Sequence, residues 1–498
     1  KPISLFTLKI FFFLFLILKE QIFFFFIYSR EKKEKCKLFI FNLGTKYFKP
    51  NFIILMEVRM SNNSKNPETL VLHAGSYRSD ASTNSVAVPI YQTTSYQFDN
   101  TEHAGNLFAL KELGNIYTRI MNPTTAVLEE RLAALEGGLA ALCVSSGSAA
   151  IALSIQNLAS AGDNIVSSPH LYGGTWNLFN NTLKQFGIEV RIADPERPES
   201  FAELSDNKTR AYFGETLPNP KLKLFPTSEV AKIGKKLGIP LIVDNTASPI
   251  TCKPIEDGAS IVVHSLTKFI GGHGTSIGGV IIDSGNFNWT AKPEQQPLMN
   301  TPDNSYHGAV WGELVPEALG APIAFAIRAR VVLLRDLGPA ISPTNAFQII
   351  QGLETLPLRY REQQANAQKL ADYFSNHNQV FNVIYPSYFS GADKERADKY
   401  MRTGYGPLLG IELKGGEKAG RQLIDNLKMI YHVANIGDSR TLAIHPASTT
   451  HSQLNETEQL ATGVTPGYVR FSVGIEHIDD IIADIEQALD PIEKALAS

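Results

Sequence analysis

Short, mostly apolar runs recur through the middle of the chain, separated by stretches in which apolar residues return every three or four positions. The runs are Ala140 to Val144, Asn164 to Ser167, Arg210 to Phe213, Pro240 to Val243, Ala259 to Val263 and Gly279 to Ile282. Strands that read as continuous apolar runs are buried on both faces, and amphipathic stretches such as Ser228 to Leu237 supply covering helices. The pattern predicts a mostly parallel sheet between helical layers. A helix signal stands ahead of it: Asn122 can cap, Pro123 suits the first position, Val127, Leu128, Leu132 and Leu135 share a face, and Gly137 can end it.

Beyond Ile282 the pattern loosens. Residues 284–338 read as a long insertion, rich in Pro and Asn over about 284–312 and helical over Ala321 to Asp336. An amphipathic stretch runs from Thr344 to about Ser375, followed by strands at Leu408 to Leu413, Leu442 to His445 and Tyr468 to Val473. Helices are expected at Glu417 to Met429 and His477 to Leu489, the last presenting Ile478, Ile481, Ile482, Ile485 and Leu489 on one face. The expected fold class is α/β, with a mostly parallel central sheet and a smaller C-terminal α+β domain. Boundaries are drawn at an extended N-terminal arm over 60–115, a larger domain over 116–338 and a C-terminal domain over 339–498.

Residues 1–59 follow neither pattern. Apolar runs at Ile10 to Leu18 and Ile22 to Tyr28 are broken by Lys19-Glu20-Gln21, and each is too short to span a bilayer. No small-residue cleavage site follows them, so a signal peptide fits poorly. Phe, Lys, Ile and Leu dominate, a bias that AT-rich non-coding DNA yields on translation. The expectation is an atypical leader outside the native coding sequence, with the natural start at Met56 or Met60; a membrane-associating leader is the alternative.

Composition narrows the partners. A net charge of −3 over 498 residues supplies no basic field for nucleic acid or an acidic membrane surface, so a small-molecule partner is expected. Cys36, Cys143 and Cys252 lie far apart without Cys/His ligand spacing, which points to no disulfide framework, no metal site and a reducing cytoplasmic setting.

Candidate chemistry gathers at the predicted strand ends. Lys268, in His264-Ser265-Leu266-Thr267-Lys268, reads as an aldehyde-capturing lysine, because desolvation lowers an amine's proton affinity. Asp244 ends the preceding apolar run and could hold a pyridine nitrogen protonated. Ser145-Ser146-Gly147-Ser148, between a strand and an Ala-rich helix, offers backbone N–H groups to a phosphate, and Ser265 and Thr267 add hydroxyls. Tyr172, before Gly173-Gly174, is placed to stack on a flat ring and to move protons. Asn219, between Pro218 and Pro220, could reach a ring hydroxyl. Gly271-Gly272-His273-Gly274 lacks dinucleotide and P-loop spacing and reads as a turn back to the next strand. Alone, each motif has an ordinary reading as a cap, turn or surface group.

Together and in this order, these segments resemble the Cys/Met-metabolism family of PLP-dependent enzymes, transferases of fold type I with aspartate-aminotransferase-like architecture, from about Thr69 to Leu489. The resemblance implies pyridoxal 5'-phosphate as cofactor in the domain over 116–338. Lys268 would be bonded to its aldehyde, Asp244 paired with its ring nitrogen and Tyr172 stacked on the ring, with Lys268 and Tyr172 catalytic. Gly147, Ser148, Ser265 and Thr267 would hold the phosphate. Tyr117-Thr118-Arg119 matches a tyrosine/arginine motif that reaches a neighbouring subunit's phosphate, which implies a homotetramer built of dimers sharing active sites. Arg470, in Val469-Arg470-Phe471-Ser472-Val473-Gly474, matches the segment whose arginine clamps the substrate α-carboxylate. Ser148 stands where Gln or Met is usual, and Phe269 replaces a common Tyr.

Within that family the insertion containing Ser305-Tyr306-His307-Gly308, the stretch 329–359 and the stretch 435–454 look most like the O-acetylhomoserine sulfhydrylase branch. The implied reaction converts O-acetyl-L-homoserine and sulfide into L-homocysteine and acetate. Cystathionine γ-synthase, O-succinylhomoserine sulfhydrylase and methionine γ-lyase chemistry fit the same cofactor residues and are the alternatives.

Overall fold

Both faces of the central strands are buried, which is why their sequences do not alternate. In the computed structural model, which describes residues 24–31, 35–42, 64–109, 111–112, 114–450, 452 and 455–497, Lys1–Met60 and Ser61–Ser498 form two compact units. The first contains a hairpin of β1 (Phe24–Glu31) and β2 (Lys35–Asn42), antiparallel from Phe24↔Asn42 to Glu31↔Lys35. The expectation for the natural start at Met56 or Met60 lies outside the described residues.

The second unit is built on β3 (Ala140–Val144), β4 (Asn164–Ser167), β5 (Glu189–Ile192), β6 (Thr209–Glu215), β7 (Leu241–Asp244), β8 (Ile261–Ser265) and β9 (Gly279–Asp283). They lie in the order β3-β9-β8-β7-β6-β4-β5. The pairs β4–β5, β4–β6, β6–β7 and β7–β8 are parallel, whereas β9 runs antiparallel to β8 and β3. Leu241 and Val243 enter one core and Ile242 the other; Val262 and Ile261 divide the same way. Each such side chain gains about 1.5–3 kcal/mol on burial, so the period-two geometry of a strand is satisfied twice over by one apolar run. The edge strand β5, Glu-Val-Arg-Ile, was not expected: its charged, half-exposed positions carry no such run.

The helix Pro123–Glu136 has the expected ends: Asn122 accepts from the Thr124 N–H at 3.0 Å, and Gly137 terminates it at φ 81°. Helix Pro343–Ser375 is 33 residues long and capped by Ser342. Its Ile349, Leu353 and Leu356 pack under the large sheet, while Leu370, Ala371 and Phe374 enter the core of a second sheet. That sheet contains β10 (Val380–Ile384), β11 (Leu408–Leu413), β12 (Tyr431–His432), β13 (Leu442–Ile444) and β14 (Tyr468–Ser472), in the order β10-β11-β14-β13-β12. The fold is thus α/β, a large mixed sheet with a smaller second sheet. Two short helices, Pro67–His73 and Thr101–Phe108, interrupt the arm expected to be extended; Asn100 caps the second through the His103 N–H at 2.8 Å. Among the described residues no helix is long and apolar enough to cross a membrane.

Candidate active site

A cavity of about 250 Å³ opens where the carboxyl ends of β6, β7 and β8 meet the turns after β3 and β4 and the 434–436 loop beside β14. Ligands in open α/β sheets bind in this position. Lys268, Asp244, Tyr172, Asn219, Arg470, Gly147, Ser148, Ser265 and Thr267 all line it. Tyr117 and Arg119 do not. The Arg119 guanidinium lies 5.4 Å from the centre of the Tyr117 ring and donates to the Arg335 carbonyl.

One wall is an anion cradle. Helix Gly147–Gln156 starts there, with Ser146 Oγ accepting from the Ala149 N–H at 3.1 Å. The N–H groups of its first residues lack intrahelical partners and, with the helix dipole, favour negative charge. The small residues are required by close packing: a Cβ on Gly147 would lie 2.6 Å from Ser265 Cβ, and one on Gly279 would lie 2.0 Å from the Ser146 carbonyl oxygen. Ser148 needs only its backbone for this role, so its departure from Gln or Met leaves the cradle's N–H group in place.

At the neighbouring strand ends, Asp244 accepts from the Thr246 N–H at 2.9 Å. Burial pushes its carboxyl pKa up, while the Thr246 hydrogen bonds and the nearby His264 oppose that shift. Lys268 Nζ donates to Asn435 Oδ1. Burial, followed by the Arg470 charge, depresses its amine below the ordinary lysine range. Arg470, 7% exposed, donates through Nη2 to the Asn435 carbonyl at 2.8 Å. Asn435 thereby joins the amine to the guanidinium, and sequence reasoning missed it. It is a neutral loop residue 167 positions from the lysine, recognisable beforehand only as part of a longer motif.

The Tyr172 ring lies back over its glycines: a Cβ on Gly174 would sit 2.4 Å from Tyr172 Cε1. The Tyr172 N–H donates to Glu215 Oε1 at 2.6 Å, which adds Glu215 to the lining groups that sequence reasoning had not selected. Gly272 and Gly274, at φ 68° and 67°, form the expected turn after the lysine. Behind it Gly437, at φ 79°, lets its loop approach Phe269: a Cβ would meet the Phe269 nitrogen at 2.4 Å.

Two cavity-lining residues carry buried polar atoms without a hydrogen-bond partner among the described residues, Asn219 Oδ1 and Arg470 Nε. Such atoms are costly unless a ligand meets them. An anion cradle, a half-buried strand-end carboxyl, a depressed lysine amine, an aromatic face and the Asn219 oxygen fit the phosphate, nitrogen, aldehyde, ring and hydroxyl of pyridoxal phosphate. Its phosphate would be held by Gly147, Ser148, Ser265 and Thr267, its ring nitrogen by Asp244 and its hydroxyl by Asn219.

Residues 68–490 match the family model described as Cys/Met metabolism PLP-dependent enzyme. Over 432 residues the chain is 52% identical to O-acetyl-L-homoserine sulfhydrylase of Leptospira meyeri, covering 86% of this chain and 97% of the relative. It is 47% identical over 438 residues to homocysteine/cysteine synthase of Saccharomyces cerevisiae, covering 85% and 98% of the two chains. Among solved structures, an O-acetylhomoserine (thiol)-lyase from Campylobacter jejuni carrying a pyridoxyl-lysine monophosphate superposes with a TM-score of 0.81. That chain is 42% identical, and the match covers 85% of this chain and all of the other.

Proposed function

The chain belongs to the Cys/Met metabolism PLP-dependent enzymes, and we propose that it converts O-acetyl-L-homoserine and sulfide into L-homocysteine and acetate by replacement at Cγ. Bound pyridoxal phosphate supplies an aldehyde that captures amines and a ring that accepts the electron pair left at Cα. The remaining work falls to side chains. Lys268 anchors the cofactor and, once released, takes the Cα proton at Nζ and shuttles protons along the four-carbon chain, with the Tyr172 hydroxyl assisting. Asp244 holds the proton on the ring nitrogen. Arg470 grips the α-carboxylate, so that the Cα–H bond stays aligned while acetate leaves and sulfide adds.

The cavity's charge inventory is the observation that carries this reading. Its cationic lining residues are Lys268 and Arg470, while Leu217, Ala247, Ala434 and Ile436 supply an apolar wall. One guanidinium serves one carboxylate. The acetyl ester adds no further charge, whereas a succinyl ester would bring a second carboxylate with no third lining cation of the same chain, among the described residues, to meet it. Steady-state rates with the two esters test this: kcat/KM should favour O-acetylhomoserine by about tenfold or more, since an unpaired carboxylate costs more than about 1.4 kcal/mol. Equal rates, or preference for the succinyl ester, would reject the assignment.

The same reading extends to a cytoplasmic homotetramer of dimers. It is supported by the buried unpaired Cys143 and Cys252 and by the position of Tyr117 and Arg119 outside their own chain's cavity.

A further inference from the structure

Glu215 and Asp244 are Cα partners at the ends of the adjacent parallel strands β6 and β7, and both line the same cavity. Glu215 is 8% exposed and receives the Tyr172 N–H. Two carboxylates sharing a buried site do not both stay ionised; one takes up a proton. Their surroundings decide which. Asp244 has the Thr246 N–H and, from β8, His264, itself held by Glu136 at 3.0 Å. The cations facing the cavity are turned elsewhere: Lys268 donates to the Asn435 side chain and Arg470 to the Asn435 carbonyl. Among the described lining residues Tyr172 is the remaining titratable group, and it meets Glu215 through its backbone N–H.

We propose that Glu215 carries the proton of this carboxyl pair, standing in the cavity as a neutral acid that holds Tyr172 through one oxygen and leaves Asp244 the single anion. Burial and then the Asp244 charge push the Glu215 carboxyl well above the usual carboxylate range, against the Tyr172 N–H, whose hydrogen bond pulls the other way. Glu215 is then a positioning residue. It holds the stacking residue's backbone beside the carboxylate that keeps the ring nitrogen protonated, without placing a second negative charge there. What the pair does for the cofactor rests on the proposed function; its proton does not.

The test is infrared spectroscopy of the full chain, with and without pyridoxal phosphate. At neutral pH the wild type should show a protonated-carboxyl stretch that Glu215→Gln removes. In Asp244→Asn, where the neighbouring charge is gone, that stretch should disappear at lower pH than in wild type. Glu215→Gln should also leave the pH midpoint of the bound cofactor's absorbance in place, because it exchanges one neutral group for another. A carboxyl stretch unchanged by Glu215→Gln, or a midpoint moved by about one unit or more as expected for a lost charge, would overturn the proposal. The apoenzyme spectrum answers for the pair independently of the cofactor reading.

Discussion

The role proposed for Lys268, capturing an aldehyde and then moving a proton, needs an amine that is partly neutral and aimed, and different neighbours supply these two properties. Burial and Arg470 depress its amine, while Asn435 fixes its direction. Asn435→Asp puts an anion against the amine and raises its pKa. Because the neutral amine, once released in the substrate complex, is the base, the ascending limb of kcat against pH should move to higher pH. Asn435→Ala leaves the amine without this acceptor and should lower kcat by about 10–100-fold with a smaller change in KM. pH–rate profiles of both variants check this, and unchanged profiles would remove Asn435 from the proton path. Lys268, Asp244, Tyr172 and Asn219 were legible in sequence because each follows an apolar strand within a motif. Asn435 and Glu215 were not: a loop amide and one more strand-end acid acquire meaning only when the fold sets them beside the amine and Asp244.

At the scale of elements, the site depends on strands and helices approaching more closely than side chains allow. β9 passes so near the turn after β3 that Gly279→Ala would drive a methyl group into the Ser146 carbonyl. Overpacking of this kind costs about 1–3 kcal/mol. The variant should melt at lower temperature and bind pyridoxal phosphate more weakly, read by thermal denaturation and by absorbance titration; unaltered binding would separate this turn from the phosphate. The strands β3, β4, β6, β7, β8 and β9 were readable because two cores each demand apolar residues from every one of them. β5 and β10 lie at sheet edges, where half-exposed positions accept charged or polar residues and the signal vanishes. The helix Thr101–Phe108 was missed because its capping Asn100 sits in a polar stretch whose apolar face is only one residue deep, at buried Leu107.

At the scale of the whole molecule, Tyr117 and Arg119 lie outside the cavity of their own chain, as sharing of sites between subunits requires. If sites are shared, Lys268→Ala and Arg119→Ala subunits should each be inactive alone. Mixed and reassembled, they should regain up to about half of the wild-type activity per hybrid dimer, because one of its two sites would pair an intact lysine with an intact arginine. Failure to regain activity in verified hybrids would confine each site to one chain. The central claim, sulfide-dependent replacement at Cγ, is tested most directly by product analysis of the purified protein with pyridoxal phosphate, O-acetyl-L-homoserine and sulfide. Homocysteine and acetate should form in equal amounts, and homocysteine formation should stop when sulfide is omitted; ammonia and 2-oxobutyrate as the main products would contradict it.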